Sequence, residues 1–497
     1  MEIKNPIIKA DMPDPDIIRV GDTYYMVSTT MFYTPGAPIL KSKDLCNWEI
    51  ISYVFDIIED NEIYRLENGN HAYGKGQWAT SLAYYNGRFY ACFACNAMGK
   101  TYIYSTDDIY KSGWDRVVID EILHDMSFVF WKDKPYLIYG NGDIYIVELK
   151  KDLSGIEEKG LRRLLFKTPT EGISLRCEGC RALIRNGYIY LLFIDWPIDG
   201  RRRVVCYRSR QLERPYESRL LLDDDFGFEG HGVAQGTLIE SEDGDWYGMF
   251  FQDRGASGRI PYLLPADWED DWPVIGINGR IPESFETPFK PYDASDIVSS
   301  DSFNHKENKL HLNWQWNHNP INDCWSFTER PGYLRLTTGH IATNLMDARN
   351  TLTQRTMEDG SICDVILDTS GMKEGDYAGL CALQGRYGQI GVTISDGKKM
   401  IETRQKKKDG TILTKETVLD QDEVHLRIVF DYRSRKDEAT FFYSLDGQEW
   451  IQQGEVLPMV FTLDLFVGYR IGIYNYGTKQ VGGYADFKDF KLEVLHE

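Results

Sequence analysis

A phrase in which a polar turn precedes a Tyr inside an apolar run recurs five times in the first 250 residues. The five Tyr residues lie about 46 to 65 residues apart, which is close to the length of one four-stranded β-propeller blade. Each apolar run is short and bounded by turn pairs such as Asn-Gly or Gly-Asp, as is typical of β-hairpins. The repeat therefore predicts an all-β fold with a five-bladed β-propeller over residues 1–290. The Tyr residues are Tyr25, Tyr90, Tyr136, Tyr190 and Tyr247.

A side chain capable of chemistry stands eleven or twelve residues ahead of each repeated Tyr. The first strand of every propeller blade lines the central channel, so equivalent positions at the start of these strands converge on one axis. A single carboxylate usually caps a turn or lies in solvent. Three carboxyl groups at matched repeat positions, with an indole and an amide at the other two, instead indicate a functional site at the rim of the channel. The five residues are Asp14, Trp78, Asp125, Glu178 and Gln235.

The composition limits the partners that the chain can have. A formal net charge of −20 and a pI of about 5.0 argue against nucleic acid and anionic membrane surfaces. The start of the sequence has no apolar segment typical of a secretory signal, and nine cysteines without a small-domain framework suit a reducing compartment. We therefore expect a cytoplasmic protein. Aromatic residues make up 13% of the chain, which permits a carbohydrate ligand but is also typical of β-rich folds.

Beyond the repeats, residues 286–300 are rich in Pro, Ser and Asp and are predicted to be a linker. Alternating strands continue after it without the Tyr repeat, which predicts a separate antiparallel β-sandwich over residues 300–497. The aromatic stretch of residues 312–320 fits either a buried edge or a sugar-facing patch, and core packing is the preferred interpretation.

Two Cys-x-x-Cys pairs occur, Cys92/Cys95 and Cys177/Cys180. Residues three apart in a strand point to opposite faces, so the first pair is poorly placed to bind zinc. The second pair brackets Glu178, where small and weakly polar neighbours would help to desolvate the carboxyl group. The nine His residues show no spacing typical of a catalytic metal site. No nucleotide-binding loop or serine-hydrolase elbow is visible in the sequence.

Paired carboxyl groups in an aromatic pocket are what glycoside hydrolysis requires, one protonated to donate to the leaving oxygen and one ionised. A third carboxylate near the acid favours its protonated form through repulsion between like charges. Two other classes of protein stay open. One is a non-catalytic sugar-binding protein, although a pure binder needs no protonated acid. The other is a propeller scaffold for protein partners, with the carboxylates as a solvated acidic rim.

At these carboxyl groups the chain resembles glycoside hydrolase family 43, and the resemblance runs nearly end to end. The opening NPIIKADMPDPDIIRVGDTYYMVSTT is similar to that of the family and implies that Asp14 is the general base. The segment HDMSFVF implies that Asp125 modulates the pKa of the acid, and CEGCRALIRNGYIYL implies that Glu178 is the general acid.

The resemblance also implies residues that bind the substrate. Trp78, in GQWATSLAYYNG, would shape the pocket, and Arg259, in GRIPYLLPADWEDDWPV, would donate to a sugar hydroxyl. Many family members have an axial His, sometimes beside a calcium ion, where this chain has Gln235. We therefore expect no required cofactor, and a calcium requirement does not transfer directly. His231 lies near the fifth inner strand, where it either approaches the axis or caps the surface.

The C-terminal region, including LNWQWNHNP and GGYADFKDFKLEV, resembles the concanavalin-like sandwich of the family's β-xylosidases. A loop of that domain often closes the pocket, and residues 475–483 are the expected loop. The resemblance implies an exo-acting, inverting hydrolase whose substrate is a small xylan-derived oligosaccharide. It would release terminal or branching α-L-arabinofuranose or β-D-xylose, with a slight preference for arabinofuranose.

Overall fold

The computed structural model describes residues 1–213, 215–462 and 464–495. Within these residues, five consecutive antiparallel sheets of four strands each form the blades of a propeller, as predicted. From the inside outward, the strands are Asp16–Val20, Thr23–Val27, Gly36–Ser42 and Glu49–Phe55 in blade 1; Ser81–Tyr85, Arg88–Cys95, Lys100–Thr106 and Asp115–Ile119 in blade 2; Ser127–Trp131, Lys134–Asn141, Asp143–Glu148 and Arg162–Lys167 in blade 3; Ile173–Arg185, Tyr188–Pro197, Arg203–Ser209 and Glu217–Leu222 in blade 4; and Ala234–Glu240, Trp246–Asp253, Arg259–Glu269 and Trp272–Ile275 in blade 5.

The repeated Tyr residues are buried in the second strand of each blade, where they pack between blades. Tyr25 of blade 1 makes an edge-to-face contact with Phe89 of blade 2, with ring centroids 5.5 Å apart. Tyr90 of blade 2 does the same with Phe128 of blade 3, at 6.4 Å. The sequence repeat therefore reflects a repeated packing position, since aromatic pairs at this spacing add stability beyond their buried area.

The ring is closed by the beginning of the chain, which crosses to blade 5. The first strands of neighbouring blades contact one another around the ring, including those of blades 5 and 1. The N–H of Met12 donates to the carbonyl of Arg259 at 2.9 Å, and Glu2–Lys4 pairs with Ser284–Glu286. The Asn5 side chain also bonds to blade 5, through Leu263. Backbone hydrogen bonds thus tie the N-terminal segment to the last blade.

Two packed antiparallel sheets form the C-terminal β-sandwich in the described part of the chain, and its core is a single apolar cluster. Short 3-10 turns connect some of the strands, and none of the helices among the described residues is long and apolar enough to cross a membrane. Trp314 and Trp316 are buried, which confirms core packing for that aromatic stretch. In spatial order, one sheet contains Ile412–Val418, Lys398–Lys406, Gly388–Ser395, Asp376–Leu383, Arg470–Gly477, Leu352–Arg355, Gln315–Asn317 and Tyr33–Thr34; the other contains Trp325–Ser326, Leu334–Thr337, Tyr484–Val494, Ser361–Asp368, Glu423–Asp431, Glu438–Ser444 and Ile451–Gln452, with Leu457–Pro458 also on Glu438–Ser444.

The two domains share a sheet at their junction. Tyr33–Thr34, a short strand of blade 1, pairs with Gln315–Asn317 of the sandwich. The adjacent His318 is fully buried, and its Nε2 accepts a hydrogen bond from the N–H of Ala72 at 2.9 Å. Burial holds the pKa of His318 well below its usual value, as an accepting, neutral imidazole requires. The interface is therefore ordered by backbone pairing as well as by apolar contact.

Asp11 is a second buried connection between the domains. One carboxylate oxygen accepts from the N–H of Arg259 in blade 5 at 2.8 Å. The other accepts from the N–H of Gly468 in the sandwich at 3.0 Å, and Arg355 of the sandwich donates to the Asp11 carbonyl at 2.9 Å. Burial raises the pKa of Asp11. Its carboxyl group therefore holds a blade and a sandwich loop at a fixed separation.

Replacing Asp11 by Asn should destabilise the protein, because the amide NH2 faces one of two N–H groups and leaves it without an acceptor. An unsatisfied buried group costs about 1–3 kcal/mol. We expect a lower melting temperature, measured by differential scanning fluorimetry. Asp120→Asn is the matched control, since the Asp120 side chain is 87% exposed. A melting temperature of Asp11→Asn equal to that of the control would contradict this account of the junction.

Candidate active site

The starts of the inner strands share an unusual backbone shape. Asp14, Asp125 and Gln235 all have positive φ, at 54°, 46° and 58°. In blade 4 the residue with positive φ is Gly179, at 66°, directly after Glu178. Non-Gly residues rarely adopt this conformation, and it clusters at functional sites. The repeat seen in the sequence is therefore also a repeat of backbone geometry at the mouth of the channel.

Asp14 is 3% exposed and is bonded at both oxygens. Oδ2 accepts from the hydroxyl of Thr29 at 2.7 Å. Oδ1 accepts from Nη1 of Arg259 at 2.8 Å, and Nε of the same guanidinium donates to Asp253 at 3.1 Å. The carboxylate thus has a fixed orientation and a cationic partner.

Glu178 is bonded at one oxygen. Its Oε2 accepts from Nδ2 of Asn141 at 2.6 Å and forms a 3.0 Å hydrogen bond with Nε2 of His124. No described residue makes a hydrogen bond to Oε1, and the side chain is 19% exposed. One oxygen therefore orients the carboxyl group, and the other is available to a ligand.

Asp125 lies deeper than Glu178 and is the least satisfied of the three carboxyl groups. Its Oδ1 is buried and has no hydrogen-bond partner among the described residues. The pKa of Asp125 is raised to about 6, mainly by burial and also by the charges of Glu178 and Asp14, against the opposing charge of His124. The three carboxyl groups are thus close enough to interact electrostatically. The structure brings them together as the repeat predicts, and their individual roles stay predictions.

His124, which the sequence analysis missed, lies between two of the carboxyl groups. Its Nε2 is 3.7 Å from Asp125 and 3.0 Å from Glu178. The charge of Asp125, with the hydrogen bond to Glu178, raises the pKa of His124 to about 9. At neutral pH the residue is therefore an imidazolium. Its position directly before Asp125 in the sequence was the available signal.

Arg202 is a second residue that the sequence analysis missed. It forms an ion pair with Asp253 and lies over the ring of Trp196, 5.1 Å from the centroid. Burial, together with repulsion from Arg259, lowers the pKa of Arg202 to about 9. Asp253 thus joins two arginines beside the carboxyl groups. Arg202 belongs to a run of three arginines outside the repeat register, so its spacing gave no signal.

Trp78 and a residue of the sandwich form an aromatic wall. The Trp78 ring lies 5.5 Å from the ring of His124 and 5.5 Å from that of Phe466. The guanidinium of Arg259 lies 5.9 Å from the centroid of Phe466. The sandwich therefore contributes a side chain to the propeller mouth.

The prediction that residues 475–483 form a loop that closes the pocket is wrong. In the described structure this segment bonds within the sandwich: Thr478 donates to Gly375 and Lys479 pairs with Glu374. The segment that reaches Trp78 is the one that contains Phe466. Strand Arg470–Gly477 lies between Phe466 and residues 478–483, which therefore lie beyond opposite ends of this strand.

The other two predicted binding residues lie at different depths. Gln235 packs against Gly179, where an added Cβ would stand 2.7 Å from its Cδ, so its amide lies beside the segment of Glu178. His231 is half-buried and packs edge-to-face on Phe228, at 5.2 Å. Burial and then the charge of Arg202 lower the pKa of His231. It is therefore a rim residue on the Arg202 side.

The centre of the ring holds a fixed positive charge. Arg181 is 1% exposed and donates from Nη2 to the carbonyls of Asp14 and Thr80, at 3.2 and 3.1 Å. It also stands 3.5 Å from Asp16. Calcium needs six to eight oxygen ligands, and here the carbonyls beside the axis are already bound to a guanidinium. The residues present therefore do not fit an axial calcium ion.

His124, Asp125 and Glu178 have potential ligand atoms within 4.8 Å of one another. A metal ion bound there would displace the hydrogen bond that orients Glu178. We therefore treat this group as a hydrogen-bonded acid centre.

A five-bladed propeller with interacting carboxyl groups at an aromatic-walled mouth defines a glycoside hydrolase. The chain belongs to glycosyl hydrolase family 43: the model of the family "Glycosyl hydrolases family 43" matches residues 3–273. That of the "Beta xylosidase C-terminal Concanavalin A-like domain" matches residues 300–493.

Similar proteins cover nearly the whole chain. A protein named beta-xylosidase from Formosa agariphila is 29% identical over 98% of this chain and 90% of its own. A protein from Bacteroides ovatus named non-reducing end alpha-L-arabinofuranosidase is 27% identical over 99% of this chain and 95% of its own. The solved structure of a bifunctional GH43-CE protein from Bacteroides eggerthii has a TM-score of 0.94 and 43% identity over 100% of this chain. This chain spans 64% of the length of that protein.

Replacing Phe466 by Ala should weaken substrate binding, because it removes the ring that the sandwich places against Trp78. Aromatic contacts are worth about 0.5–1.5 kcal/mol beyond their area, so we expect KM to rise roughly threefold to tenfold with a smaller change in kcat. Phe442→Ala is the control, because Phe442 is a half-buried Phe on a sandwich strand. Equal kinetics for the two variants would show that the sandwich does not shape the pocket.

Proposed function

We propose that the protein is an exo-acting, inverting glycosidase that releases terminal or branching pentoses from xylan-derived oligosaccharides. The observation that carries the proposal is the meeting of Asp14, Asp125 and Glu178 at one mouth, each in a different environment. The names of the relatives, beta-xylosidase and alpha-L-arabinofuranosidase, support β-D-xylose and α-L-arabinofuranose as the released sugars. The two pentoses present similar hydroxyl arrangements, and we favour arabinofuranose slightly.

In the proposed reaction, Glu178 donates its proton to the glycosidic oxygen as the bond to the anomeric carbon breaks. Its Oε1 suits this role because His124 and Asn141 hold the other oxygen. Asp14 removes a proton from a water molecule that attacks the opposite face of the sugar. An inverting pair needs a separation of roughly 6.5–9.5 Å to leave room for this water.

Asp125 is proposed to keep Glu178 protonated until the proton is needed. A nearby carboxylate disfavours the ionised form of its neighbour, and burial strengthens the effect because the local dielectric is low. The two charges of Asp125 and His124 oppose each other at Glu178. Asp125 thereby offsets a cation that would otherwise favour the ionised acid.

The aromatic residues that line the pocket support cleavage at the ends or branches of the oligosaccharide. Trp78 and Phe466 come from different domains and meet at 5.5 Å, which narrows one side of the pocket. A narrowed pocket fits a single terminal or branching sugar better than an internal segment of a polymer. The basic residues Arg259 and Arg202 can donate to the hydroxyl groups of such a sugar.

We also propose a cytoplasmic location. All nine cysteines lie among the described residues, and each is a free thiol, which is the state that a reducing compartment maintains.

The loss of activity caused by Glu178→Ala should depend on the leaving group of the substrate. General acid catalysis typically contributes about 10²–10⁴-fold, so we expect a loss of that order on xylo- or arabinoxylo-oligosaccharides. Aryl glycosides with acidic phenols need little protonation and should be affected far less. The measurement is kcat/KM on both substrate types, with Glu171→Ala as control, because Glu171 is an exposed residue in the turn just before the strand that carries Glu178. Equal losses on both substrates would argue against the acid role.

The first-formed sugar should have the anomeric configuration opposite to that of the substrate. Proton NMR during the first minutes of hydrolysis of an aryl xyloside and an aryl arabinofuranoside measures it. Retention would overturn the single-displacement mechanism. Failure to turn over either glycoside would overturn the proposed substrate class.

A further inference from the structure

A second His-and-carboxylate group lies in the sandwich, where the chain leaves the linker. Asp301, His305 and His311 each offer a ligand atom, and these atoms lie within 4.8 Å of one another. Nε2 of His305 is 2.9 and 3.1 Å from the two carboxylate oxygens of Asp301, and Nδ1 of His311 is 3.6 Å from Oδ2. Tetrahedral zinc with bonds of about 2.0–2.1 Å separates its ligand atoms by about 3.3 Å. The shortest contacts of the Asp301 carboxylate with His305 and His311, at 2.9 and 3.6 Å, lie on either side of this value.

The surroundings of this group resemble those of a metal site. Nδ1 of His305 is 3.2 Å from the carbonyl of Lys309, so Nε2 is the nitrogen turned towards the carboxylate. Asp301 accepts from the N–H of Phe303 at 2.8 Å and from the indole of Trp314 at 3.0 Å. Metal-binding His and carboxylate residues typically have such outer partners, which fix their orientation.

The group is rigid on one side and open on the other. The side chains of Asp301 and His305 are 3% and 8% exposed, and His305 stacks on Phe327 with ring centroids 4.0 Å apart. The side chain of His311 is 60% exposed. Two ligands are therefore in place before any ion arrives, and a third can close over it with little rearrangement.

An ion pair between Asp301 and His305 alone would explain two of the three residues. It does not explain His311, whose Nδ1 faces the same oxygen and whose ring lies 4.4 Å from that of His305. Two imidazoles directed at one carboxylate are a donor set that suits zinc and related ions. The position of His311 therefore favours a metal site over a simple ion pair between Asp301 and His305.

We propose that Asp301, His305 and His311 bind a divalent transition-metal ion, with zinc as the best match and water in the remaining position. The site lies outside the reaction centre. It lies beside a groove of about 1180 Å³ that residues of blades 1 and 2 and of the sandwich line together. Within the same segment, the carbonyl of Leu312 accepts from the hydroxyl of Tyr53 in blade 1 at 2.6 Å. A bound ion would therefore fix the segment that links the sandwich to the propeller.

The test uses the full chain, stripped with a chelator and dialysed, and titrated with zinc chloride by calorimetry and thermal unfolding. We expect wild type to bind one more equivalent of zinc than His311→Ala, or to bind it at least tenfold more tightly. Zinc should raise the melting temperature of wild type and of the control His71→Ala, whose His is exposed, but not that of His311→Ala. His311 is exposed, so its replacement should leave the fold intact.

Zinc at the acid centre would bind wild type and His311→Ala alike and would inhibit turnover, so the difference between the two proteins reports on the sandwich site. Crystals soaked in zinc should show an anomalous peak between the three side chains. Identical binding and identical thermal shifts in wild type and His311→Ala would overturn the proposal. A wild type that does not respond to zinc, or a peak at the acid centre alone, would overturn it as well.

Discussion

The hydrogen bonds of Asp11 connect the sandwich to Arg259, the residue that holds Asp14. Its carboxylate holds the N–H of Arg259, whose side chain holds Asp14, and the N–H of Gly468, two residues beyond Phe466. The contact is close: a Cβ on Gly468 would stand 2.5 Å from the carbonyl of Ser257. Asp14 and the Phe466 side of the pocket are therefore both positioned through one buried carboxyl group, and a shift of the sandwich must disturb both.

The three carboxyl groups lie in different electrostatic environments, which are set in part by the cations beside them. Asp14 pairs with the guanidinium of Arg259, Glu178 meets the imidazolium of His124, and Asp125 has a buried oxygen without a partner and a pKa raised to about 6. Titratable groups whose surroundings differ in this way can carry opposite acid and base roles at one pH. The buried guanidinium of Arg181 provides a positive charge at the centre of the ring. Because this charge belongs to the chain, it does not depend on a bound metal ion.

The sequence predicted site residues at the positions that repeat from blade to blade. Asp125 was predictable because Tyr136 lies opposite Val129 of the inner strand that follows Asp125, and every inner strand begins at the same mouth. Arg202 and Phe466 have no counterpart in the repeat, and their approach to the mouth depends on the folding of a turn and on domain docking. The family resemblance suggested a closing loop at 475–483, but this segment forms its hydrogen bond and ion pair within the sandwich. Spacing in the chain thus predicts convergence within one repeating domain and does not predict contacts between unlike domains.

The chain places His beside carboxylates twice, and the difference between the two sites decides where a metal ion would bind. His124 has a pKa raised to about 9 by the charge of Asp125, so a metal must displace a proton there at neutral pH, which weakens binding. At Asp301 the imidazole of His305 is oriented by a carbonyl on its far side, and an exposed second imidazole completes the set. The same residue types are therefore arranged differently: carboxylates flank one His at the propeller mouth, whereas two His residues face one carboxylate at Asp301.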